Sequence, residues 1–438
     1  MLLLRGATIL TMNDAFDIVE GDVLVDGSHI AAVGAVDAPP GTPVIDTQGD
    51  YLLPGFVQTH VHLCQTLFRG LADDLALLDW LRTRIWPLEA AHTPDTLVAS
   101  AATAVAELIA GGTTTVLTME TVHDTDAVFE TVAAMGLRAV IGKCLMDADE
   151  DVPARLTETT RRAIDESLAL ARRWHGGANG RLRAAFAPRF ALSCTRELLE
   201  ALATLATEEG LLVHTHASEN RDEVRLVRER TGFGNVDYFT EVGLAAPHLC
   251  LAHCVWVDAR EQELIAERDV KVLHCPGSNL KLGSGIAPVA ELRARGACVS
   301  LGADGAACNN RLDMFQEMRL AATLQAARVG PGALPARDVL AMATREGART
   351  LGLEREIGTV APGKRADLVL VRRDAPHTAP DADPYATLVY AAGPADVRTV
   401  LVDGEVLVAD GRPTRWDAAA LAARARAAAT ALRRRAGV

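Results

Sequence analysis

No run of roughly eighteen apolar residues occurs anywhere in the chain, so no membrane-spanning helix is expected. Met1–Leu10 carries one arginine and no apolar stretch of secretory length, which argues against a signal peptide. Lys/Arg-rich runs are missing as well. With 44 Lys and Arg against 57 Asp and Glu, the net charge is −13, a poor match for a polyanion such as duplex DNA. The arginines near Arg433 form a short tail that reads as a solvated helix face. The eight cysteines (64, 144, 194, 250, 254, 275, 298 and 308) are scattered rather than framed for disulfides, as expected of reduced thiols in a cytoplasmic protein. Cys250 and Cys254 lack the second close pair that a zinc finger needs. The H-x-E then P-C-x-x-C pattern of the small cytidine deaminases is also absent.

What is present is an ordinary globular composition, 49% hydrophobic and 23% charged, which excludes a mostly disordered chain. The 438 residues allow a large core, in roughly two or three domains or in one barrel with an addition. Both ends read as short strands broken by turns: Ala7–Met12, Asp22–Val25 and Ile30–Val33 early, then Asp367–Val371, Val397–Val402 and Val406–Val408 late. The middle alternates short apolar runs with helical segments. The runs are Gly55–His62, Thr114–Met119, Leu137–Cys144, Leu182–Pro188, Leu211–Glu219, Leu249–Val255, Val270–Pro276 and Cys298–Gly305. Helical stretches between them include Asp126–Met135, Arg161–Trp174, Arg196–Glu209, Asp258–Arg268 and Met314–Gln325. This rhythm predicts an α/β fold: a TIM-like (β/α)8 barrel over 53–354 with a small composite β-sandwich from 1–52 and 355–415. A C-terminal helix is expected over 416–438.

In such a barrel the chemistry sits at the C-terminal strand ends. Six of the twelve histidines fall there: His60 and His62 on the first strand, His214 and His216 on the fifth, His253 on the sixth and His274 on the seventh. Asp304 ends the eighth. His60 and His62 are two apart and project to one side of their strand. With an imidazole from the fifth strand and the Asp304 carboxylate they would form an N/O site suited to Zn2+ or Fe2+. A lone buried histidine is more often a hydrogen-bonded core residue, so the inference rests on the set. Periodicity leaves open whether His214 or His216 ligates. Cys275, beside His274, offers a thiolate that the set does not need.

These residues lie in longer motifs: PGFVQTHVH (54–62), TLFRGLADDL (66–75), WPLE (86–89), HTHASE (214–219), HCPGSNLKLGSGIAP (274–288), GADGAACNNRLDMF (302–315) and GTVAPGKRADL (358–368). Together they resemble the amidohydrolase superfamily. The likeness is to the metal-dependent deaminase branch that holds the methylthioadenosine/S-adenosylhomocysteine and 5′-deoxyadenosine deaminases, and it spans the chain to about residue 410. The resemblance implies one divalent metal, Zn2+ first and Fe2+ second, on His60, His62, His216 and Asp304. Relatives with two metals bridge them through a Lys or Glu at the end of the fourth strand, where this chain has Pro188-Arg189. His253 resembles the histidine that hydrogen-bonds the reacting water, Glu219 the proton shuttle, and Glu89 a ribose contact. An ion pair from Glu219 to Arg221 or Arg225 is the competing structural reading.

Three positions depart from the adenosine-type pattern. Gln65 replaces a Met, Arg189 replaces a His, and Cys308 replaces a Ser. Gln65 and Pro188-Arg189-Phe190 resemble guanine deaminase instead. Arg189 donates only and suits a carbonyl acceptor, although a structural ion pair at the barrel rim would use it equally well. Trp86 and Phe190 could stack on a planar base. The expected function is therefore a zinc-dependent aminohydrolase acting on a small heterocyclic amine, adenosine derivatives first. Guanine, oxo-purines or pterins, and s-triazines, come next. A non-catalytic scaffold is the alternative of another class. The acidic exterior permits a homo-oligomer without requiring one.

Overall fold

The structure is a computed structural model that describes residues 1–148 and 152–438. Five strands come first: β1 (Leu2–Leu10), β2 (Ile18–Asp26), β3 (His29–Gly34), β4 (Val44–Asp46) and β5 (Tyr51–Pro54). The middle of the chain supplies β6 (Phe56–His62), β7 (Thr113–Met119), β8 (Arg138–Leu145), β9 (Leu182–Pro188), β10 (Leu212–Ala217), β11 (Leu249–His253), β12 (Lys271–His274), β13 (Val299–Leu301) and β14 (Asp304–Gly305). The last four are β15 (Leu368–Val371), β16 (Val397–Val402), β17 (Glu405–Ala409) and β18 (Arg412–Pro413).

Strands β6 to β13 pair in chain order, each parallel to the next, and β14 returns to pair with β6. β13 and β14 are one strand broken at Gly302-Ala303, so the expected eight-stranded barrel closes on itself. Its strands lie where the apolar runs predicted them. They are buried on both faces, which is why they read as continuous apolar runs rather than alternating ones. The intervening helices carry ordinary start and stop signals. The Arg196–Glu209 helix begins at Thr195, whose side chain accepts the Leu198 N–H, and ends at Gly210 with φ +64°. It buries Leu198, Leu199, Leu202 and Ala206 at helical spacing. The Pro94–Ala110 helix, which the sequence rhythm did not reveal, is Ala-rich and carries no sharp polar face.

The terminal strands form one mixed sheet in the order β18-β17-β16-β15-β5-β1-β2-β3, with β4 beside β1. It curls on itself: β3 is met by the segment before β15, where Gly363 donates to Ile30 and Ile30 to Lys364. Alternation sorts its two faces. Leu52, Leu368, Leu370 and Leu401 join Leu4, Ile9, Val23 and Ile30 in a private core. Tyr51, Leu53, Val369, Val371, Val400 and Val402 face the barrel and join its core. The sheet continues to Pro54, past the expected boundary at 52, because β5 pairs with both β1 and β15. Ile357, past the expected boundary at 354, belongs with Leu351 and Leu353 to a plug against the inward-facing Val57, Leu117 and Val140. The last helix, Ala418–Ala436, packs on Pro94–Ala110. Among the described residues no helix is long and apolar enough to cross a membrane.

One buried ion pair joins barrel to sheet. Arg138, at the start of β8, places Nε 2.6 Å from Asp367 Oδ2 and Nη2 3.3 Å from Asp403 Oδ1. Asp367 Oδ1 also accepts the Asp403 N–H at 2.7 Å. Arg138→Met leaves Asp367 buried without its cation. It is expected to cost about 3–5 kcal/mol in urea unfolding, whereas a loss below about 1 kcal/mol would mean that the pair contributes no more than a surface bridge.

Candidate active site

The C-terminal strand ends converge on one point. His60 Nε2 lies 3.3 Å and His62 Nε2 3.2 Å from the same oxygen, Asp304 Oδ1. His216 Nε2 lies 3.3 Å from His62 Nε2. The other ring nitrogens are committed. His62 Nδ1 donates to the Met119 carbonyl at 2.8 Å, and His216 Nδ1 to the Arg189 carbonyl at 2.6 Å. A carbonyl only accepts, so each Nδ1 carries a proton and each Nε2 is free to turn a lone pair inward. His60 Nδ1 meets His214 Nε2 at 2.6 Å. His214 therefore sits one layer below the centre and orients His60, while His216 faces the centre. Periodicity alone could not separate the two because they share a face.

Burial pushes the His60 ring down to about 4, against the opposing pull of Asp304, so it is neutral at neutral pH. His216 is likewise held well below the ordinary histidine range by burial. At His62 burial also pulls down, but its hydrogen bond to Asp304 outweighs it and raises the ring. A proton or a cation between His62 and Asp304 answers the same lone pairs. Ligand atoms of His60, His62 and Asp304 lie within 4.8 Å of one another, as do those of His60, His216 and His253. Buried inward lone pairs, neutral imidazoles and an ionised carboxylate together fit a divalent cation of the Zn2+ or Fe2+ kind.

Glu219 lies beside this cluster, 4% exposed, with Oε2 3.5 Å from His253 Nε2. Burial, then the Asp304 charge, hold its carboxyl well above the usual range. The competing arginines are engaged elsewhere: Arg225 with Glu229 and Asp222, and Arg221 over the Trp256 ring. His253 Nδ1 meets Asn279 Oδ1 at 2.8 Å, and its Nε2 lies 3.9 Å from Asp304 Oδ2. His253 has φ +74° and Asp304 φ +62°, left-handed backbone that L-residues rarely adopt and that recurs where function fixes geometry.

A cavity opens onto the cluster, lined by His62, Gln65, Arg189, Phe190, His216, Glu219, His253 and Asp304. Leu77, Trp80, Leu81, Leu282 and Glu223 complete it, and the sequence reasoning missed all five. Phe190 lies where a planar ring could stack. Trp86 does not line the cavity, contrary to expectation. It packs in the core with Leu88 and Phe68, and Trp80, six residues earlier, faces the space instead. The cause is the local backbone, in which a π-helical turn over Leu81–Ile85 rotates the faces of the helical segment.

Glu89 is also absent from the lining. Its Oε2 accepts Arg189 Nη1 at 2.6 Å, and its Oε1 accepts Gln65 Nε2 at 3.0 Å. Three residues expected to touch substrate are thus bound to one another, and Arg189 is both ion-paired to Glu89 and part of the cavity wall. Cys308 Sγ lies 3.2 Å from the Gly305 carbonyl and also meets the Asp304 carboxylate, so it adjoins the cluster, whereas Cys275 Sγ turns to the Leu273 carbonyl. His274 is fully buried on β12 and lies outside the cavity lining.

A parallel barrel with a histidine–aspartate cluster at its C-terminal face defines the class. Residues 51–407 match the amidohydrolase family, and the chain belongs to it. It is 44% identical to the 5′-deoxyadenosine deaminase of Methanothermobacter thermautotrophicus, over 94% of this chain and 93% of that one. It is 40% identical to the 5-methylthioadenosine/S-adenosylhomocysteine deaminase of Pelotomaculum thermopropionicum, over 93% of each. A solved adenosine deaminase from Xanthomonas campestris with bound zinc superposes with a TM-score of 0.92 at 33% identity, covering 99% of this chain and 98% of that one.

The His60–His214 contact can be tested directly. His214→Phe removes the partner that orients His60, and zinc affinity measured by chelator competition should fall about 10- to 100-fold. An unchanged affinity would remove His214 from the orienting role, and complete loss of binding would make it a ligand.

Proposed function

We propose that this protein is a zinc-dependent aminohydrolase that removes the exocyclic amino group of a purine-type heterocycle as ammonia. Adenosine derivatives are the first substrates: 5′-deoxyadenosine, methylthioadenosine, S-adenosylhomocysteine and adenosine. The observation that carries this reading is a buried Glu219 carboxyl, held well above the usual range by burial and the Asp304 charge, beside the histidine–aspartate cluster in the wall of one cavity. The 44% identity to a 5′-deoxyadenosine deaminase supports the substrate class.

His60, His62, His216 and Asp304 would hold one divalent cation, and the absence of a Lys or Glu at the end of β9 argues against a second. When bound, such a cation lowers the pKa of water from near 16 towards roughly 7 and so supplies a nucleophile at neutral pH. Glu219 donates its proton to the ring nitrogen next to the carbon under attack, which relieves the charge that would otherwise build on the ring. Asp304 Oδ2, turned towards His253, is the site where the proton of the attacking water is received. His253 Nδ1 donates to Asn279 Oδ1, which leaves Nε2 as an acceptor that orients the attacking group. Phe190 and Trp80 stack on the planar base, and Gln65 and Arg189 read its edge. Glu89, offered first as a ribose contact, anchors those two residues instead. The eight free, buried and scattered cysteines support a reducing, cytoplasmic setting.

A second reading, a guanine, oxo-purine or pterin deaminase, is favoured by Arg189 and Gln65 in the cavity wall. An ammonia-release screen over adenosine, 5′-deoxyadenosine, methylthioadenosine, S-adenosylhomocysteine, guanine, pterins and aminotriazines separates the two. Activity confined to guanine would overturn the first. Zinc-loaded protein silent on every compound would leave the scaffold reading. Glu219→Gln is expected to lower kcat about 10²- to 10⁴-fold with zinc retained, and a loss below about threefold would exclude Glu219 as the acid.

A further inference from the structure

Glu223 lies in the cavity wall, 1% exposed, and has no part in the chemistry derived above. It is the third residue of the Arg221–Thr231 helix, whose N-cap is Asn220. A glutamate at this position ordinarily reaches back to the N-cap N–H. Here it meets the Asn220 N–H and also reaches one residue further: its Oε2 accepts the backbone N–H of Glu219 at 2.8 Å. The other oxygen, Oε1, accepts Nδ2 of Asn235, which is itself fully buried. A carboxylate without a cation in this setting carries a desolvation cost that a leucine would not. Its backbone donors lie on the turn that carries Glu219, while Asn235 begins the neighbouring Asn235–Glu241 helix. That turn is strained, since Ser218 has φ +52°, a conformation costing about 1–3 kcal/mol that surrounding contacts must hold in place.

We propose that Glu223, clamped by Asn235, is a positioning residue that fixes the backbone of Glu219 so that its carboxyl faces His253 and Asp304. This rests on the reading of Glu219 as the acid. Glu223 touches no reacting atom in this scheme, and its effect passes through residue 219 alone.

Two measurements test it, one independent of turnover. Hydrogen exchange at the Glu219 amide should be protected in the wild type and faster in Glu223→Leu, with the amides of β10 unchanged. With 5′-deoxyadenosine, or whichever heterocycle the screen identifies, Glu223→Leu should lower kcat about 10- to 100-fold with KM and zinc content nearly unchanged. Glu223→Gln keeps an acceptor and should recover much of that loss. In a Glu219→Gln background, Glu223→Leu should cost less than about threefold, because the group it positions is gone. An equal loss in both backgrounds, or an unprotected Glu219 amide in the wild type, overturns the proposal. If Glu223→Leu does not fold, Asn235→Ala, which releases the clamp and leaves the carboxylate, carries the same tests with smaller effects. A wild type inactive on every heterocycle rejects the functional reading, while the exchange measurement still decides the placement of Glu219.

Discussion

The structure depends on the seam where the eighth barrel strand meets the first. Asp304 pairs in register with Val61, so closing the barrel and delivering a carboxylate to His60 and His62 are one event. The approach is close enough to dictate sequence. A Cβ on Gly302 would lie 2.5 Å from the His60 carbonyl oxygen, so only glycine fits there. Side chains stitch the same seam: Ala303 N–H donates to Gln58 Oε1 at 3.2 Å, and Thr59 Oγ1 to the Leu301 carbonyl at 3.0 Å. A shift of the seam would move Asp304 away from both histidines together, which couples the stability of the barrel to the integrity of its site.

Burial then sets the electrostatics. A charge taken out of water needs a partner or gives up its charge. His60 and His216 give it up and become neutral donors for a cation. At Glu219 the same burial, with the Asp304 charge, pushes the carboxyl well above the usual range. Asp304 keeps its charge: burial pushes its carboxyl upward, but the His60 and His62 rings outweigh this and hold it well below the usual range. Arg189 keeps its charge beside Glu89, 2.6 Å away. One low-dielectric cavity thus holds an acid, neutral ligands and a counter-charged ligand within a few ångströms, with the assignment fixed by which group has a partner.

The strands and the cluster were legible in the sequence because both obey simple periods. Each parallel strand is a continuous apolar run, and the histidines stand where those runs end. Two-residue alternation put His60 beside His62 and put His214 beside His216, but it carries no depth, so the second pair was separated only by the 2.6 Å contact of His214 with His60. Trp86 and Trp80 exchange places because the Leu81–Ile85 turn breaks the 3.6-residue period on which any face assignment depends. Pro94–Ala110 escaped notice because alanines around much of its circumference leave no polar stripe to count. Glu223 carried a signal, a carboxylate four residues after Glu219 at a helix start, but its reach back past the N-cap is a three-dimensional fact.

The polar wall of the cavity has a consequence for recognition. Glu89 takes the Gln65 amide N–H2 and the Arg189 guanidinium, and Gln65 Oε1 is left buried without a donor. An unsatisfied buried acceptor costs about 1–3 kcal/mol, which a ligand recovers by supplying an N–H or O–H at that point. The amide cannot rotate to offer its N–H2 without giving up Glu89. The ion pair therefore fixes Gln65 as an acceptor, with its Oε1 held against the backbone of Gly305. The Arg189–Glu89 pair thereby sets which end of the amide is committed and which is left open.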